Sequence, residues 1–311
     1  MCAGFVDPVH GKSFQNYIPE GGNRMKKAMK IGLVFALIVS FAAMTAFAGG
    51  AKEAAQEVEL LYVEWAGEVA ATFVAQVLLE EMGYDVTVTS VSAAAMWQGI
   101  GAGAADAHLA AWLPGTHGEY LSQTEDGLEV LSPLLEGARI GLLVPTYVTV
   151  DSVAEIEANA DRFGNRIVGI DPGAGLMQAT EDAIDVYSLD SVELIEGSDA
   201  TMVAELARAY DNEEWIVVTG WTPHIKEAMF DLKYLEDPEL VFGAEETVSA
   251  VVRNGLREEM PEVVEFLDNF YWTPDQVASL MLMNDEGGDP YDNAKEWVAE
   301  NRSVVDAWLP N

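Results

Sequence analysis

The stretch VELLYVEWAGEVAATFVAQVLLEEMGYDVTVTSV, residues 58–91, decides the fold class of the chain. Its apolar residues at 58–63 predict a strand, and apolar residues at helical spacing over 66–82 predict a helix that ends at Gly83. Apolar and polar residues alternate over 85–91, which predicts the next strand. A strand–helix–strand order of this kind is typical of an α/β protein.

The same alternation of strands and helices continues along the rest of the chain. Further strands are predicted at 105–112, 140–150, 167–170, 191–195, 215–218 and 248–252. Helices are predicted at 92–99, 176–187 and 199–210, and over most of the chain from Pro261 onward. We therefore expect two α/β lobes joined by a hinge. Lobe I comprises residues 58–143 together with 246–311, and lobe II comprises residues 144–245.

The N-terminal residues have the pattern of a secretory signal. Three lysines within 26–30 precede an almost wholly apolar stretch at 31–43, and AFA at 46–48 fits the small-x-small pattern before a cleavage site. The apolar stretch is too short for a comfortable membrane span, although a retained single-helix anchor is the alternative. We expect cleavage near Ala48 and Gly49, and therefore a periplasmic or secreted protein.

Residues 1–48 are thus assigned to an N-terminal extension with a signal peptide, and the small, polar residues 49–57 to a flexible tether. Met25 would be a conventional start for the signal, so the sequence leaves Met1 and Met25 both open as the start. The only cysteine is Cys2, outside the predicted mature chain. We therefore expect neither a disulfide nor a cysteine-based metal site.

The charge of the chain is strongly negative. It has 52 acidic and 16 basic residues among 311, a formal net charge of −36 at pH 7. A field of this sign repels nucleic acid and anionic lipid, which argues against either as a partner. It is typical of a solvated acidic surface suited to high salt, where most of the repulsion between carboxylates is screened.

Three tryptophans stand where a predicted strand ends or a loop begins. They are Trp65, Trp112 and Trp221. If their rings converge, the π faces form a cage for a cation that carries no N–H donors, and tryptophan is the best residue for that role. The remaining tryptophans of the predicted mature chain fall in helical patterns or at the start of an apolar strand, and we expect them to pack in the core. These are Trp97, Trp215, Trp272, Trp297 and Trp308.

A Gly-rich turn, GAG at 173–175, lies between a predicted strand and a predicted helix. Free backbone N–H groups at the positive end of a helix favour an anion such as a carboxylate. The turn lacks the third glycine of a dinucleotide-binding fingerprint and the Gly-Lys-Ser/Thr ending of a P-loop. A plain structural turn remains the alternative.

Two loop histidines can donate a hydrogen bond to a carboxylate. His117 follows Trp112 past a Pro-Gly turn, and His224 follows Pro223. A lone histidine in a loop is more often a surface residue, so both assignments stay open at this point. His108 lies inside a strand pattern, which indicates a structural role.

No catalytic motif stands out in the sequence. It contains no Gly-x-Ser-x-Gly elbow, no His-Glu-x-x-His pair and no cysteine nucleophile in the predicted mature chain. Pairs of acidic residues carry little information in a chain with so many of them. We expect no metal, no cofactor and no enzyme activity, although an acid/base site assembled by the fold stays open.

Several strings in one order give the chain a resemblance to a known family. They are AAMW at 94–97, AWLPGTH at 111–117, GIDPGAGLM at 169–177, AYDN at 209–212, VVTGWTPH at 217–224 and DLKYLEDP at 231–238. From about Val58 to Trp308 the chain resembles the OpuAC-type substrate-binding proteins of ABC importers for glycine betaine and related solutes. The resemblance implies a two-lobed periplasmic-binding-protein fold that closes over its ligand.

The resemblance also implies a set of binding residues. In that family three tryptophans surround the quaternary ammonium of the ligand. The matching positions are Trp65, Trp112 and Trp221. Two backbone N–H groups of the Gly-rich turn hold the ligand carboxylate, and they fall on Gly175 and Leu176. A histidine completes the carboxylate site, and the AWLPGTH string places it at His117.

The expected function is therefore capture of glycine betaine, or a related quaternary ammonium osmolyte, for an ABC permease in the inner membrane. We expect the protein to be a monomer. Choline, carnitine or proline betaine are alternative ligands. An α/β hydrolase that acts on a choline compound is the alternative from a different class of protein.

Overall fold

The computed structural model describes residues 56–310. The predicted signal peptide, its cleavage site and nearly all of the predicted tether lie outside the described residues. Within 56–310, none of the helices combines the length and the apolar character that crossing a lipid bilayer requires.

The described residues form an α/β protein with strands and helices in alternation. The strands are β1 Glu57–Tyr62, β2 Asp85–Ser90, β3 Ala107–Leu113, β4 Leu128–Pro145, β5 Arg166–Val168, β6 Glu193–Ile195, β7 Val218–Thr222, β8 Leu232–Tyr234 and β9 Glu246–Arg253. The helices are α1 Ala66–Glu81, α2 Ala93–Gly101, α3 Gly118–Thr124, α4 Gly175–Val186, α5 Asp199–Asp211, α6 Lys226–Met229, α7 Leu256–Glu259, α8 Pro261–Asn269, α9 Pro274–Glu286, α10 Pro290–Glu300 and α11 Arg302–Val305. Short 3₁₀ helices occur at Glu125–Gly127, Val153–Glu155 and Glu157–Phe163.

The strands lie in the order β2-β1-β3-β9-β4-β7-β5-β6, and β8 pairs with β4. At one end β1 is parallel to both β2 and β3, and at the other β5 is parallel to both β6 and β7. Antiparallel pairs join these two parallel groups through β9 and β4. Each parallel group is the centre of one lobe, so the two-lobed α/β fold predicted from the sequence is present.

The long strand β4 passes from one lobe into the other. Its residues 128–138 pair with β9, whereas 139–143 pair with β7. The lobe bounds predicted above remain a prediction, but this change of partner favours a division at Ala138 and Arg139, earlier than the predicted 143. Further along the chain, β9 begins at Glu246 and pairs with β3 of lobe I.

The prediction for β4 was wrong in its extent. The sequence predicted a strand at 140–150, whereas β4 spans Leu128–Pro145. Pro133 and Gly137 are unfavourable inside a strand, but shifts in the pairing with β9 on either side of Pro133 and beyond Glu136 accommodate both residues. Past Pro145 the β-branched residues leave the sheet.

The predicted strand at 215–218 begins and ends later in the structure, as β7 Val218–Thr222. Gly220 lies inside this strand, where glycine is usually unfavourable. In the sheet Gly220 lies directly opposite Gly141 of β4, and a Cβ on Gly220 would lie 2.3 Å from Leu143. The glycine therefore permits close packing at the strand that carries Trp221.

The core of lobe I forms where α1 packs on α9 and α10. Trp272 and Trp297 meet edge to face with ring centroids 6.0 Å apart, and Trp308 stacks on Phe270 at 4.4 Å. Trp97 is fully buried as well. The prediction that these four tryptophans pack in the core is confirmed. Trp215 is half-buried and lies just before β7, with the Arg162 guanidinium over its ring.

Candidate functional site

The six residues predicted from the resemblance line one cavity between the lobes. The cavity has a volume of about 60 Å³. Lobe I contributes Trp65 at the N-cap of α1, Trp112 on β3 and His117 just before α3. Lobe II contributes Trp221 on β7 and the first two residues of α4, Gly175 and Leu176. Each is brought there by a strand end or a helix start that faces the other lobe.

The indole of Trp65 is fixed by contacts from both lobes. Its ring stacks on His117 of lobe I, with centroids 5.9 Å apart and an interplanar angle of 18°. Its Nε1–H donates to Oδ2 of Asp171 in lobe II at 3.1 Å. Asp171 belongs to the string that carries the Gly-rich turn, but no local pattern distinguishes it from the other acidic residues. The orientation of Trp65 therefore depends on the approach of lobe II.

His117 is a buried hydrogen-bond donor rather than a surface residue. Its side chain is 1% exposed, and burial lowers its pKa to about 4. The Trp112 backbone N–H donates to Nδ1 of His117 at 3.1 Å. Because the neutral ring carries one proton and Nδ1 accepts, the proton lies on Nε2. Nε2–H is thus the group that His117 can offer to a ligand in the cavity.

The N-terminus of α4 presents two free amides to the same cavity. Ala174 is the N-cap and provides no side-chain cap. Among the described residues, no acceptor takes a hydrogen bond from the N–H of Gly175 or Leu176. The first amides of a helix have no partner within it, and the helix dipole makes this end positive. The arrangement suits a small anion such as a carboxylate.

The two lobes touch at the Gly-rich turn. A Cβ on Gly175 would lie 2.0 Å from the carbonyl oxygen of Thr116, so glycine is required by contact with lobe I. Nearby, the Tyr120 hydroxyl donates to the carbonyl of Gly173 at 2.7 Å. The lobes are therefore in a closed arrangement around the cavity.

Glu246 of β9 holds the turn that carries His117. Its Oε1 accepts from the backbone N–H groups of Gly115 at 2.6 Å and Thr116 at 2.8 Å, and its Oε2 accepts from the Thr116 hydroxyl. These bonds join residues that lie far apart in the sequence, and they fix the turn after Trp112. Sequence reasoning missed Glu246 because nothing local distinguishes it from other acidic residues.

A second buried contact joins the lobes beside Trp221. Oδ2 of Asp199 accepts from the backbone N–H of Ala66 at 3.1 Å and interacts with Nε2 of His224 at 3.0 Å. His224 is 3% exposed, so the surface alternative is wrong for it as well, but it does not line the cavity. Burial acts to raise the pKa of Asp199, yet His224, Lys226 and the Ala66 amide together hold it below its usual value.

Lys226 lies against one face of Trp221. Its Nζ is 3.7 Å from the indole centroid, and the side chain is fully buried. Among the described residues, no acceptor takes a hydrogen bond from Nζ. Burial lowers the pKa of Lys226 to about 7, against the opposing charges of Asp199 and Glu227. Since Trp221 lines the cavity and Lys226 does not, the amine lies behind the ring.

Within residues 56–310, no three His, Cys, Asp or Glu side chains are grouped as a metal ion would require. The cavity lining instead combines indole rings with the amides of Gly175 and Leu176, the His117 ring and the carboxyl of Glu68.

The sequence model of a protein family, the substrate-binding domain of ABC-type glycine betaine transport systems, matches residues 56–300. The chain belongs to this family. Members of the glycine betaine substrate-binding family are binding proteins of transport systems, not enzymes.

A curated relative of the chain is also a transport binding protein for glycine betaine. The glycine betaine/carnitine transport binding protein GbuC of Listeria monocytogenes is 38% identical over 185 residues, which are 58% of this chain and 62% of GbuC. The chain thus matches less than two thirds of the length of that relative.

Two solved structures share the fold at higher coverage. The glycine/betaine/L-proline-binding protein ProX of Borrelia burgdorferi has a TM-score of 0.80 and 36% identity, over 82% of this chain and 97% of ProX. Lactococcal OpuAC, in its closed-liganded conformation with glycine betaine, has a TM-score of 0.78 and 36% identity, over 82% of this chain and all of OpuAC.

Proposed function

We propose that the protein captures glycine betaine outside the cytoplasm and delivers it to the permease of an ABC importer. The observation that carries the proposal is the lining of one cavity by three indoles, the Nε2–H of His117 and two free amides. A zwitterion with a methylated cation at one end and a carboxylate at the other is complementary to both parts. Family membership supports the same class of ligand.

The cation end of the ligand would lie among Trp65, Trp112 and Trp221. A trimethylammonium group has no N–H, so hydrogen-bond acceptors offer it little, whereas ring faces offer apolar contact and quadrupole attraction. Each good contact of this kind contributes about 0.5–2 kcal/mol. Three of them, with burial of the methyl groups, are sufficient for micromolar affinity, about −8 kcal/mol, after association costs.

The carboxylate end would accept hydrogen bonds from Gly175 N–H, Leu176 N–H and His117 Nε2–H. Hydrogen bonds to a charged acceptor are shorter and stronger than neutral ones, and they orient the ligand. All three groups are donors, so they favour a carboxylate over the hydroxyl of choline. Carnitine and proline betaine also carry a carboxylate and stay as alternative ligands. The relative GbuC is a glycine betaine/carnitine transport binding protein.

Ligand binding would stabilise the closed arrangement of the lobes. The amides come from lobe II and His117 from lobe I, so one carboxylate would bridge them. The ligand can shift the equilibrium between open and closed forms only by its difference in affinity for the two. The closed form would then be the one that docks on the permease, with the binding protein acting as a monomer.

The N-terminal sequence supports export of the protein by a cleavable signal peptide, with cleavage near Ala48 and Gly49. N-terminal sequencing of the exported protein tests this part of the proposal. A chain that begins before Gly49 would contradict it.

Calorimetric titration of the purified protein tests the function itself, with glycine betaine, proline betaine, carnitine and choline as ligands. We expect one site, micromolar affinity for glycine betaine and weaker binding of choline. Binding of none of them, together with turnover of a choline ester, would favour the hydrolase alternative.

A further inference from the structure

The cavity contains a carboxyl group that the proposed binding mode does not use. Glu68, the third residue of α1, is 5% exposed and lines the same cavity as Trp65 and Trp112. Side chains of a helix lean toward its N-terminus, so the Glu68 side chain extends toward the end of α1 where Trp65 is the N-cap. The carboxyl group is therefore on the cage side of lobe I.

Neither oxygen of Glu68 has a hydrogen-bond partner of regular geometry among the described residues, and its one polar neighbour is the Val63 backbone amide, in a weak contact that favours the ionised form. The wall around it is apolar, formed among others by Ala71 and Leu109, and the Nε1–H of Trp272 on the same wall is also unpartnered. A water between Glu68 and Trp272 would satisfy both groups. A carboxyl group satisfied only by solvent is thus the alternative to a role in ligand binding.

The empty site favours the neutral form of this carboxyl. Burial raises the pKa of Glu68 well above its usual value, and the charge of Glu64 adds to the rise, while the Val63 backbone amide opposes it. Asp171, which accepts from Trp65, and Asp199, which accepts from Ala66, bring further negative charge to this end of α1. His117, on the same cavity wall, is neutral and cannot compensate a carboxylate.

A cation in the cage reverses this balance. Attraction between opposite charges in a site that excludes water is far stronger than in bulk solvent, and the positive N-terminus of α1 adds to it. We propose that Glu68 is a further ligand-recognition residue, which gives up its proton to solvent when a quaternary ammonium occupies the cage and becomes the counter-charge of that cation. The inference rests on the proposed function.

The proton balance is simple. The carboxyl O–H bond breaks, its electron pair stays on the carboxylate, and the proton passes through the cleft to a buffer base. One positive charge enters the site as a fraction of one proton leaves it. The released proton is therefore a direct readout that a water-satisfied, purely structural Glu68 would not produce.

Calorimetry with glycine betaine at neutral pH, in buffers of different ionisation enthalpy, measures the protons released per ligand bound. We expect a fraction of one proton for the wild type and a clearly smaller release for Glu68→Gln, in which only Lys226 still responds to the cation, with affinity about three- to tenfold lower in the variant. Glu57→Gln is the control, since Glu57 is an exposed glutamate at the start of β1 and does not line the cavity. It should bind and release protons as the wild type does.

A wild type that binds betaine without releasing protons would overturn the role of Glu68 and leave the proposed function intact. The same would follow if Glu68→Gln released as many protons as the wild type, because Lys226 would then be their source. A wild type that binds no methylammonium ligand would overturn both proposals. Should Glu68→Gln not fold, infrared spectroscopy of the wild type decides the matter. Addition of betaine should remove the band of a protonated carboxyl group, and a band that persists would overturn the inference.

Discussion

The two walls of the cavity differ in how they handle charge. In lobe I the carboxyl of Glu68 lines the cavity itself and has no partner, whereas in lobe II the amine of Lys226 lies behind Trp221. A carboxyl on the open side of the cage can attract a cation, while an amine on that side would repel it. The positions of the two buried groups thus agree with a cationic ligand, independently of the tryptophans.

The walls also differ in what supports them. The lobe I turn with His117 is held by Glu246 of the same lobe, whereas the indole N–H of Trp65 donates its hydrogen bond to Asp171 across the cleft. Trp221, by contrast, lies within the sheet of lobe II. The comparison indicates that the lobe II wall exists in either arrangement of the lobes and that the lobe I wall is completed by closure.

The largest expected effect comes from blocking that closure. Gly175→Ala places a methyl group 2.0 Å from the Thr116 carbonyl oxygen, which is rigid backbone of the other lobe. Overpacking of this kind costs about 1–3 kcal/mol, so we expect betaine affinity to fall by about fivefold to more than hundredfold. Gly173→Ala is the control, because its Cβ would meet only the Tyr120 hydroxyl, at 3.7 Å. Equal affinity of the two variants in calorimetry would show that closure does not depend on this contact.

Next in size is the removal of the lobe II ring. Trp221→Ala removes a ring face and its apolar contact, and we expect betaine to bind at least about tenfold more weakly. Because Trp221 is buried, the variant should melt at a lower temperature but stay folded at the temperature of the titration. Trp215→Ala is the matched control, since Trp215 is a lobe II indole away from the cavity. Unchanged affinity of Trp221→Ala in calorimetry would rule out the cage.

The sequence could predict the tryptophans and the Gly-rich turn because each stands at the end of a strand or the start of a helix. It could not predict Glu68 or Lys226, because their importance comes from burial without a partner, and burial is set by distant segments. Asp171 was hidden for a related reason: one acid among 52 carries no signal until Trp65 is placed against it. The extent of β4 was missed because bulges absorb Pro133 and Gly137.

His117 of lobe I should affect the affinity for glycine betaine more than the affinity for choline. His117→Ala removes the Nε2–H donor, and we expect glycine betaine to lose about tenfold in affinity, since hydrogen bonds to a charged group contribute about 1.5–3 kcal/mol. Choline has no carboxylate and should lose less. Titration of both ligands against the variant measures the difference. An equal loss for both would remove His117 from the carboxylate site and leave it as a support for Trp65.

The smallest effect concerns the amine behind Trp221. The pKa of Lys226, about 7, is below that of an unfolded lysine, so the folded protein holds the amine charged below pH 7 and neutral above it. A charged amine on one face of the indole opposes a cation on the other, so betaine affinity should rise about two- to threefold as pH increases through 7.

Because Glu68 would give a trend of the same sign, the measurement is made in Glu68→Gln, where Lys226→Met should abolish the remaining trend. Lys233→Met, which removes a lysine paired with Asp151 away from the cavity, is the control. A pH trend that survives Lys226→Met would mean that the indole shields the ligand from the amine, and the two walls would then differ through Glu68 alone.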